Sequence, residues 1–336
     1  MSLKARIAAL IEAQGPMSVA QFMTISLLDP REGYYATRDP LGAGGDFVTA
    51  PEVSQMFGEM LGLWLVQAWS DQGCPKNPRL VELGPGRGTL MADILRTAAV
   101  APDFLADLEV VLVEASPALQ QVQADKLRGS GADISWQAQF DDSLGDRPLF
   151  LVANEFFDAL PIRQHVGAAE RRVVVVGGGL AFDRDGEIVE TSPASEAAAR
   201  ALATCLAAKG GVAIIVDYGH ERSAPGETLQ SVRGHGFAPV LADPGEQDLT
   251  AHVDFQMIGA AARDAGAVVT GVIPQGEWLI RLGIEARAQA LSRANPERAG
   301  DVQAALDRLT GREAMGLLFK VIALHGPDWP APAGLQ

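Results

Sequence analysis

Leu80-Val81-Glu82-Leu83-Gly84-Pro85-Gly86-Arg87-Gly88-Thr89-Leu90 decides how the chain is read. An apolar run carries one acid, three glycines alternate with other residues, and a helix-compatible segment follows. The pattern is a buried strand, a tight turn, and a helix whose first amides point into the turn. Glycine there lets the main chain approach a ligand where any Cβ would collide. A dinucleotide fingerprint spaces its glycines G-x-G-x-x-G. Here the third comes one residue early, at Gly88, and Thr89 stands where that fingerprint has glycine. The loop therefore suits a nucleoside without a pyrophosphate, and S-adenosylmethionine answers that description.

Working outward, strand and helix patterns alternate. Leu80–Leu83 is the first strand and Thr89–Ala99 its helix. Glu109–Val113 is the second strand, ending at Glu114, and Pro117–Leu127 is a helix capped by Ser116. Ile134–Ala138 and Leu149–Ala153 are the third and fourth strands. The rhythm is that of a parallel sheet, and continuous apolar runs such as Leu149–Val152 suit strands covered on both faces.

Ligands of such sheets lie at the carboxyl ends of the strands. Gly84, Gly86 and Gly88 end strand one, with Glu82 just before them. Glu82 is either a buried acid holding backbone amides or a partner for the cationic amino-acid part of the cofactor. Glu114 is placed to accept both ribose hydroxyls. Asp141 follows strand three, where it either meets the adenine amino group or is a solvated turn acid. Asn154 ends strand four beside the glycine turn.

The flanks read differently. Residues 3–13 and 18–28 are helices split by Gly15-Pro16, and Thr49 is the expected cap of a long helix over 51–70. Gln164–Val166, Arg171–Val176 and Gly179–Phe182 are short strands of an antiparallel insertion. A helix over 194–208 and a strand Val212–Val216 resume the pattern. Residues 217–251 read as a long functional loop. Helices follow at Asp254–Gly266, Gly276–Leu282 and 285–309, and Gly316–Leu324 is the last strand. The expected organisation is a helical cap and cofactor-covering segment over 1–75. An α/β core over 76–330 follows, with inserted segments at about 162–190 and 217–251.

Composition narrows the partners. The 336 residues carry a formal net charge of −15. Nucleic acid and anionic membrane both need a basic face, so an acidic chain suits a cationic protein segment better. Cys74 and Cys205 are the only cysteines, which gives no disulfide framework and no metal cluster and is compatible with a reducing cytoplasm. No apolar stretch reaches the length of a membrane span. His220, His235 and His252 lie in or beside the 217–251 segment without metal-ligand spacing, and His220 is the one candidate among them for chemistry.

Asn154-Glu155-Phe156-Phe157-Asp158 is where acceptor chemistry is expected. Methyl transfer is an in-line displacement that asks the protein for alignment and exclusion of water. An arginine acceptor is a protonated fork that fits planar carboxylates. Glu155 and Asp158 are placed to grip it, and one of them to take the proton. Phe156 and Phe157 either wall that pocket or belong to the core, and Asp158 in the plainer reading caps a helix.

Gly45–Glu59, Val81–Leu90, Leu112–Ser116, Asn154–Pro161, Val216–His220 and Asp248–Phe255, in this order, resemble the MidA-like family, over about residues 20 to 324. The resemblance implies a class I, Rossmann-like methyltransferase fold: a seven-stranded, mostly parallel sheet with helices on both faces. It also implies S-adenosylmethionine bound by Gly84, Gly86 and Gly88. The Gly45–Glu52 segment, including Thr49 and Pro51, would close over the cofactor. The family's mitochondrial members are protein arginine methyltransferases acting in assembly of respiratory complex I. By that likeness the partner here is a protein with an accessible arginine, and an oligomer is compatible. The chain carries no Arg/Ser-rich transit sequence, so the expectation is a bacterial cytoplasmic enzyme. Two other readings stay open at this stage: an assembly factor that keeps the cofactor fold without catalysis, and a methyltransferase of small molecules.

Overall fold

A computed structural model describes residues 1–37, 49–234 and 236–336. The expected residues 45–48 of the covering segment and His235 lie outside the described residues. Seven strands make the central path: β1 (Arg79–Leu83), β2 (Glu109–Val113), β3 (Asp133–Gln137), β4 (Leu149–Asn154), β5 (Gly211–His220), β6 (Val268–Val269) and β7 (Phe319–His325). Their order across the sheet is β3-β2-β1-β4-β5-β7-β6. The β1, β2, β3, β4 and β5 strands run parallel, and β7 is antiparallel to both β5 and β6. Val253–Asp254 adds a parallel bridge to the end of β5, and Ile273–Pro274 pairs with β7. The α/β fold expected from the sequence is the one observed.

Both faces of the sheet are covered, and strand alternation sorts the apolar residues between them. Leu80, Leu112, Phe150, Val152, Ile214 and Val216 pack with Phe57, Leu61, Trp64, Met91 and Ile94. Val81, Val111, Leu151, Ala153, Ala213 and Ile215 face the other way, onto Leu202, Leu206, Phe255 and Ile258. A third core joins the first two helices to the insertion: Leu3, Ile7, Phe22 and Met23 pack with Ile162, Val173, Leu229 and Leu249. Met17-Ser18 also pairs antiparallel with Arg172-Val173.

The structure corrects four local expectations. The helix foreseen over 51–70 is two, Ala50–Val53 and Gln55–Asp71. Ser54 breaks it with an extended backbone, φ −165°, and its hydroxyl accepts from the Met56 amide at 3.1 Å; the Thr49 side chain makes no capping bond. Residues 217–251 are not one loop. The β5 strand runs on to His220, and Gln230–Arg233 pairs with both Gly236–Ala238 and Asp248–Thr250. The helix foreseen over 285–309 stops at Ala294, and a short 3₁₀ turn from Pro296 separates it from Ala299–Thr310. Proline lacks the N–H that would carry the helix through. Gly316–Leu318 ends a helical turn rather than opening the last strand.

One buried acid ties the helix that follows the glycine turn to its neighbours. The Glu59 side chain, 3% exposed, accepts from Arg96 at 2.9 Å and from Arg287 at 2.7 and 2.8 Å. Burial works to raise its pKa, but the two guanidiniums hold it below the usual carboxylate value. Glu59→Ala is expected to cost about 2–3 kcal/mol of stability, toward the low end because both arginines reach solvent. Urea unfolding checks it, and a midpoint equal to the parent's would show that the triad carries no weight.

Candidate active site

Gly84, Gly86 and Gly88 all take left-handed backbone angles, with φ of 61°, 53° and 75°. Side chains are strained there, so the turn needs glycine at each place. The turn connects β1 to the helix Thr89–Ala98, so its amides and the helix N-terminus open at the carboxyl end of the sheet. Gln123 braces it. Its side-chain amide donates to the Gly86 carbonyl at 2.7 Å, and its oxygen accepts from the Trp136 indole at 2.8 Å. A Cβ on Gly84 would come within 3.1 Å of the Phe156 ring.

The acids at the neighbouring strand ends are arranged by depth. Glu82 is buried, 3% exposed; burial alone pushes it up to about 8, and its Oε2 has no hydrogen-bond partner. Glu114 is half-buried at the end of β2. It accepts from the Ser116 amide at 2.7 Å and from Gln123 at 3.3 Å, and burial raises its pKa. A carboxylate can accept about four bonds, so Glu114 keeps acceptor capacity. Asp141 is exposed; its Oδ1 accepts from the Ser143 amide and hydroxyl at the start of a 3₁₀ turn, and these bonds lower its pKa.

The segment after β4 forms a second, acidic wall. Glu155 sits at φ 51°, a left-handed angle costly for a side chain. What over-determines it is Asp217, fully buried on β5. Asp217 Oδ2 accepts from the successive amides of Phe156, Phe157 and Asp158 at 3.2, 3.0 and 3.2 Å, and Oδ1 from the Tyr218 amide at 2.9 Å. Burial and the carboxyls of Asp158 and Glu155 push its pKa up against those four bonds. Three carboxyls held this close cannot all ionise readily. Asp217 has its charge solvated by four amides, so the proton of the group falls to Glu155 or Asp158. Burial raises Glu155 to about 7 and Asp158 to about 6.

Glu155 keeps one part-exposed edge, while its Oε1 accepts from the Ala50 amide at 3.0 Å and the Asn154 side chain at 3.2 Å. The short helix Ala50–Val53 is thereby pinned at the acidic wall. It is pinned a second time at the glycine turn, where Thr89 donates to Glu52 at 2.6 Å. Pro51 is buried in that helix, and Thr49 precedes it. The N-terminal segment thus meets both walls. Asp158 is 6% exposed, and both its Oδ1 and Asn154 Oδ1 are without a hydrogen-bond partner.

Other expectations come apart here. Phe157 is a core residue, 2% exposed, and only Phe156 lies over the glycine turn. Asp158 caps no helix; residues 155–160 are turn and bend. His220 faces a carboxylate of its own, Asp254, at 3.8 Å, because strand pairing sets those two residues side by side. Asp217 and Tyr218 matter more than the strand-end motif suggested, and Tyr35, Asp248 and Thr250 were not singled out. The Tyr35 hydroxyl lies 2.9 and 3.0 Å from the two Asp248 oxygens, across 213 positions of chain. Long-range pairs of this kind leave no local pattern, but an acid and a tyrosine at the end of an apolar strand were a signal.

Comparison with known proteins agrees with this geometry. The model of a family described as "putative S-adenosyl-L-methionine-dependent methyltransferase" matches residues 60–179 and 176–273. The chain belongs to this family. It is 36% identical to a zebrafish (Danio rerio) protein named protein arginine methyltransferase NDUFAF7, mitochondrial, over 96% of this chain and 86% of that one. The human protein of the same name is 34% identical, over 94% and 81% of the two chains. A crystal structure from Burkholderia thailandensis, described as a "likely methyl transferase" and bound to S-adenosyl-homocysteine, superposes with a TM-score of 0.86 at 27% identity, covering 99% and 94% of the two chains.

The protein is an S-adenosylmethionine-dependent methyltransferase. The residues present fit that cofactor: a bare-backbone turn, a buried Glu82 oxygen without a partner for a cationic group, and Glu114 with acceptor capacity for a sugar. A branched side chain at Gly86 would strain the φ 53° turn. Gly86→Val is expected to weaken binding of S-adenosyl-homocysteine at least a hundredfold by calorimetry. Unchanged affinity in a folded variant would move the cofactor away from this turn.

Proposed function

We propose that this methyltransferase acts on arginine side chains of a protein. The observation that carries the reading is the character of the wall after β4. Asp158 Oδ1 and Asn154 Oδ1 are buried acceptors with no donor, and the Glu155 carboxyl stands beside them. Acceptors without donors call for a ligand rich in N–H groups. The guanidinium offers five donors and no acceptor, in a plane that carboxylates grip two bonds at a time. A net charge of −15 favours approach of a cationic segment, and the relatives named protein arginine methyltransferases point the same way.

Bound S-adenosylmethionine supplies a methyl group made electrophilic by its sulfonium sulfur. The chain's residues handle the acceptor. Glu155 and Asp158 bind the guanidinium and hold one nitrogen toward the cofactor crevice. As that nitrogen forms its bond to carbon it loses a proton, and Asp158, desolvated and raised to about 6, is the group to take it. Phe156, over the glycine turn, shields the crevice from water.

Glu155→Gln is expected to abolish methyl transfer from labelled S-adenosylmethionine to proteins of a strain lacking this gene, with cofactor affinity kept within about threefold. Methylarginine identified by mass spectrometry names the product. Full transfer by the variant, or label only in small molecules, would sink the assignment.

The raised carboxyls set a pH dependence. Arginine stays protonated over the working range, so its binding needs the carboxyls ionised. With the pair at about 6 and about 7, kcat/KM should rise through pH 6 to 7 and be at least tenfold lower at pH 5 than at pH 8. Because the folded protein holds these protons more tightly than the unfolded chain, stability should fall as pH rises from about 4, where the unfolded carboxyls titrate, to about 7. A flat kcat/KM profile from pH 5 to 8 would contradict the roles given to Glu155 and Asp158.

A further inference from the structure

One side chain joins the glycine turn to the acid at the end of β2. Gln123 is fully buried on the helix Pro117–Leu127, which connects β2 to β3. Its Nε2 donates to the Gly86 carbonyl at 2.7 Å and to Glu114 Oε2 at 3.3 Å. Its Oε1 accepts from the indole of Trp136, on β3, at 2.8 Å. An indole N–H can only donate, so the atom that faces it is the amide oxygen, and the amide nitrogen faces the other way. The two hydrogens of that nitrogen then meet two acceptors, one in the turn after β1 and one at the end of β2. The flipped amide would set its nitrogen against the indole N–H and its oxygen against a carbonyl and a carboxylate.

Glu114 is fixed on the same scale. Its backbone amide donates to the Gln137 carbonyl at 2.8 Å, and its backbone carbonyl accepts from the Gln120 side chain at 2.7 Å. Its Oε1 accepts from the Ser116 amide at 2.7 Å, and its Oε2 from Gln123. Burial raises its pKa, and these two donors work against that rise. A carboxylate oxygen can take about two bonds. With one protein donor on each, the two oxygens keep one acceptor position apiece. A vicinal diol brings one O–H to each.

We infer that Gln123 is a positioning residue for the cofactor's sugar, locking the Glu114 carboxylate to the glycine turn so that each carboxylate oxygen presents an acceptor to one ribose hydroxyl. The inference rests on the reading of Glu114 as the acceptor of those hydroxyls. It names the side chain that keeps this acceptor in register with the turn, although the two lie on different strands. Without the amide, Oε2 loses its donor and the carboxylate is free to rotate about its last bond.

The test reads recognition of the sugar rather than affinity alone. S-adenosyl-homocysteine and its 2′-deoxy analogue are each titrated by calorimetry, and the ratio of their dissociation constants is compared between variants. A hydroxyl bonded to a charged acceptor should make the wild-type ratio about tenfold or more. Gln123→Met keeps the length of the side chain and has no donor, and its ratio should fall below about threefold. Gln123→Glu keeps an acceptor for Trp136 but sets an oxygen against Glu114 and the Gly86 carbonyl, and its ratio should fall as far. A loss of packing alone weakens both ligands alike and leaves the ratio unchanged. A wild-type ratio in either variant that folds overturns the inference.

Glu114→Gln separates the inference from the reading beneath it. Ratios that collapse in both Glu114→Gln and Gln123→Met support both statements. A wild-type ratio in Glu114→Gln, or a wild-type protein that binds the two ligands equally, removes Glu114 from the sugar, and the inference with it. A collapsed ratio in Glu114→Gln beside an unchanged one in Gln123→Met keeps the acceptor and removes the part given to Gln123.

Discussion

A single buried carboxylate, Asp217, shapes the acidic wall of this enzyme. Its two oxygens collect four backbone N–H groups, three of them from consecutive residues after β4. A turn whose amides all point one way is unfavourable unless an anion receives them, and an anion buried without donors is more unfavourable still. Each defect offsets the other. The consequence is that Glu155 is held in a left-handed conformation that its side chain would not choose, and that Asp158 follows at a fixed position. The strain lies where the chemistry is expected, next to the cofactor turn.

The same arrangement sets the electrostatics. Glu155 and Asp158 meet a neighbour whose charge is already stabilised, in a region with little water. Their protons are held into the neutral range, and a cation that displaces them gains two desolvated carboxylates. The free site is therefore uncomfortable by itself, and the proposed guanidinium acceptor would relieve it. That is a route to affinity for a cation and to a base matched to neutral pH.

The covering elements are not an appendage to this core. The helix Ala50–Val53 touches the acidic wall through the Ala50 amide and the glycine turn through Glu52. Tyr35 reaches Asp248, and the first two helices share a hydrophobic core with the inserted strands. Segments from three parts of the chain thus enclose the carboxyl ends of β1, β4 and β5. Glu59, with Arg96 and Arg287, ties the helix that leaves the glycine turn into the same framework.

The repeating apolar strands from Leu80 to Ala153, the glycine spacing at 84, 86 and 88, and the acids at 82, 114 and 155 were legible from residue order alone. Each depends on contacts or backbone angles within a few residues, so period and spacing record them. The break at Ser54, the strands within 217–251 and the core burial of Phe157 were not legible, because long-range pairing and packing decide them. The same holds for what distinguishes Asp217 and Tyr218 from His220. On the sequence all three end one strand; in space Asp217 meets the amides after β4, the Tyr218 ring packs edge-on against Phe319 and His252, and strand pairing turns His220 to Asp254. Residue order determined a nucleoside-binding α/β sheet, while only tertiary structure decided which polar groups share a buried volume. Desolvation and hydrogen bonding act between groups brought together from positions hundreds of residues apart, and no local pattern encodes that meeting.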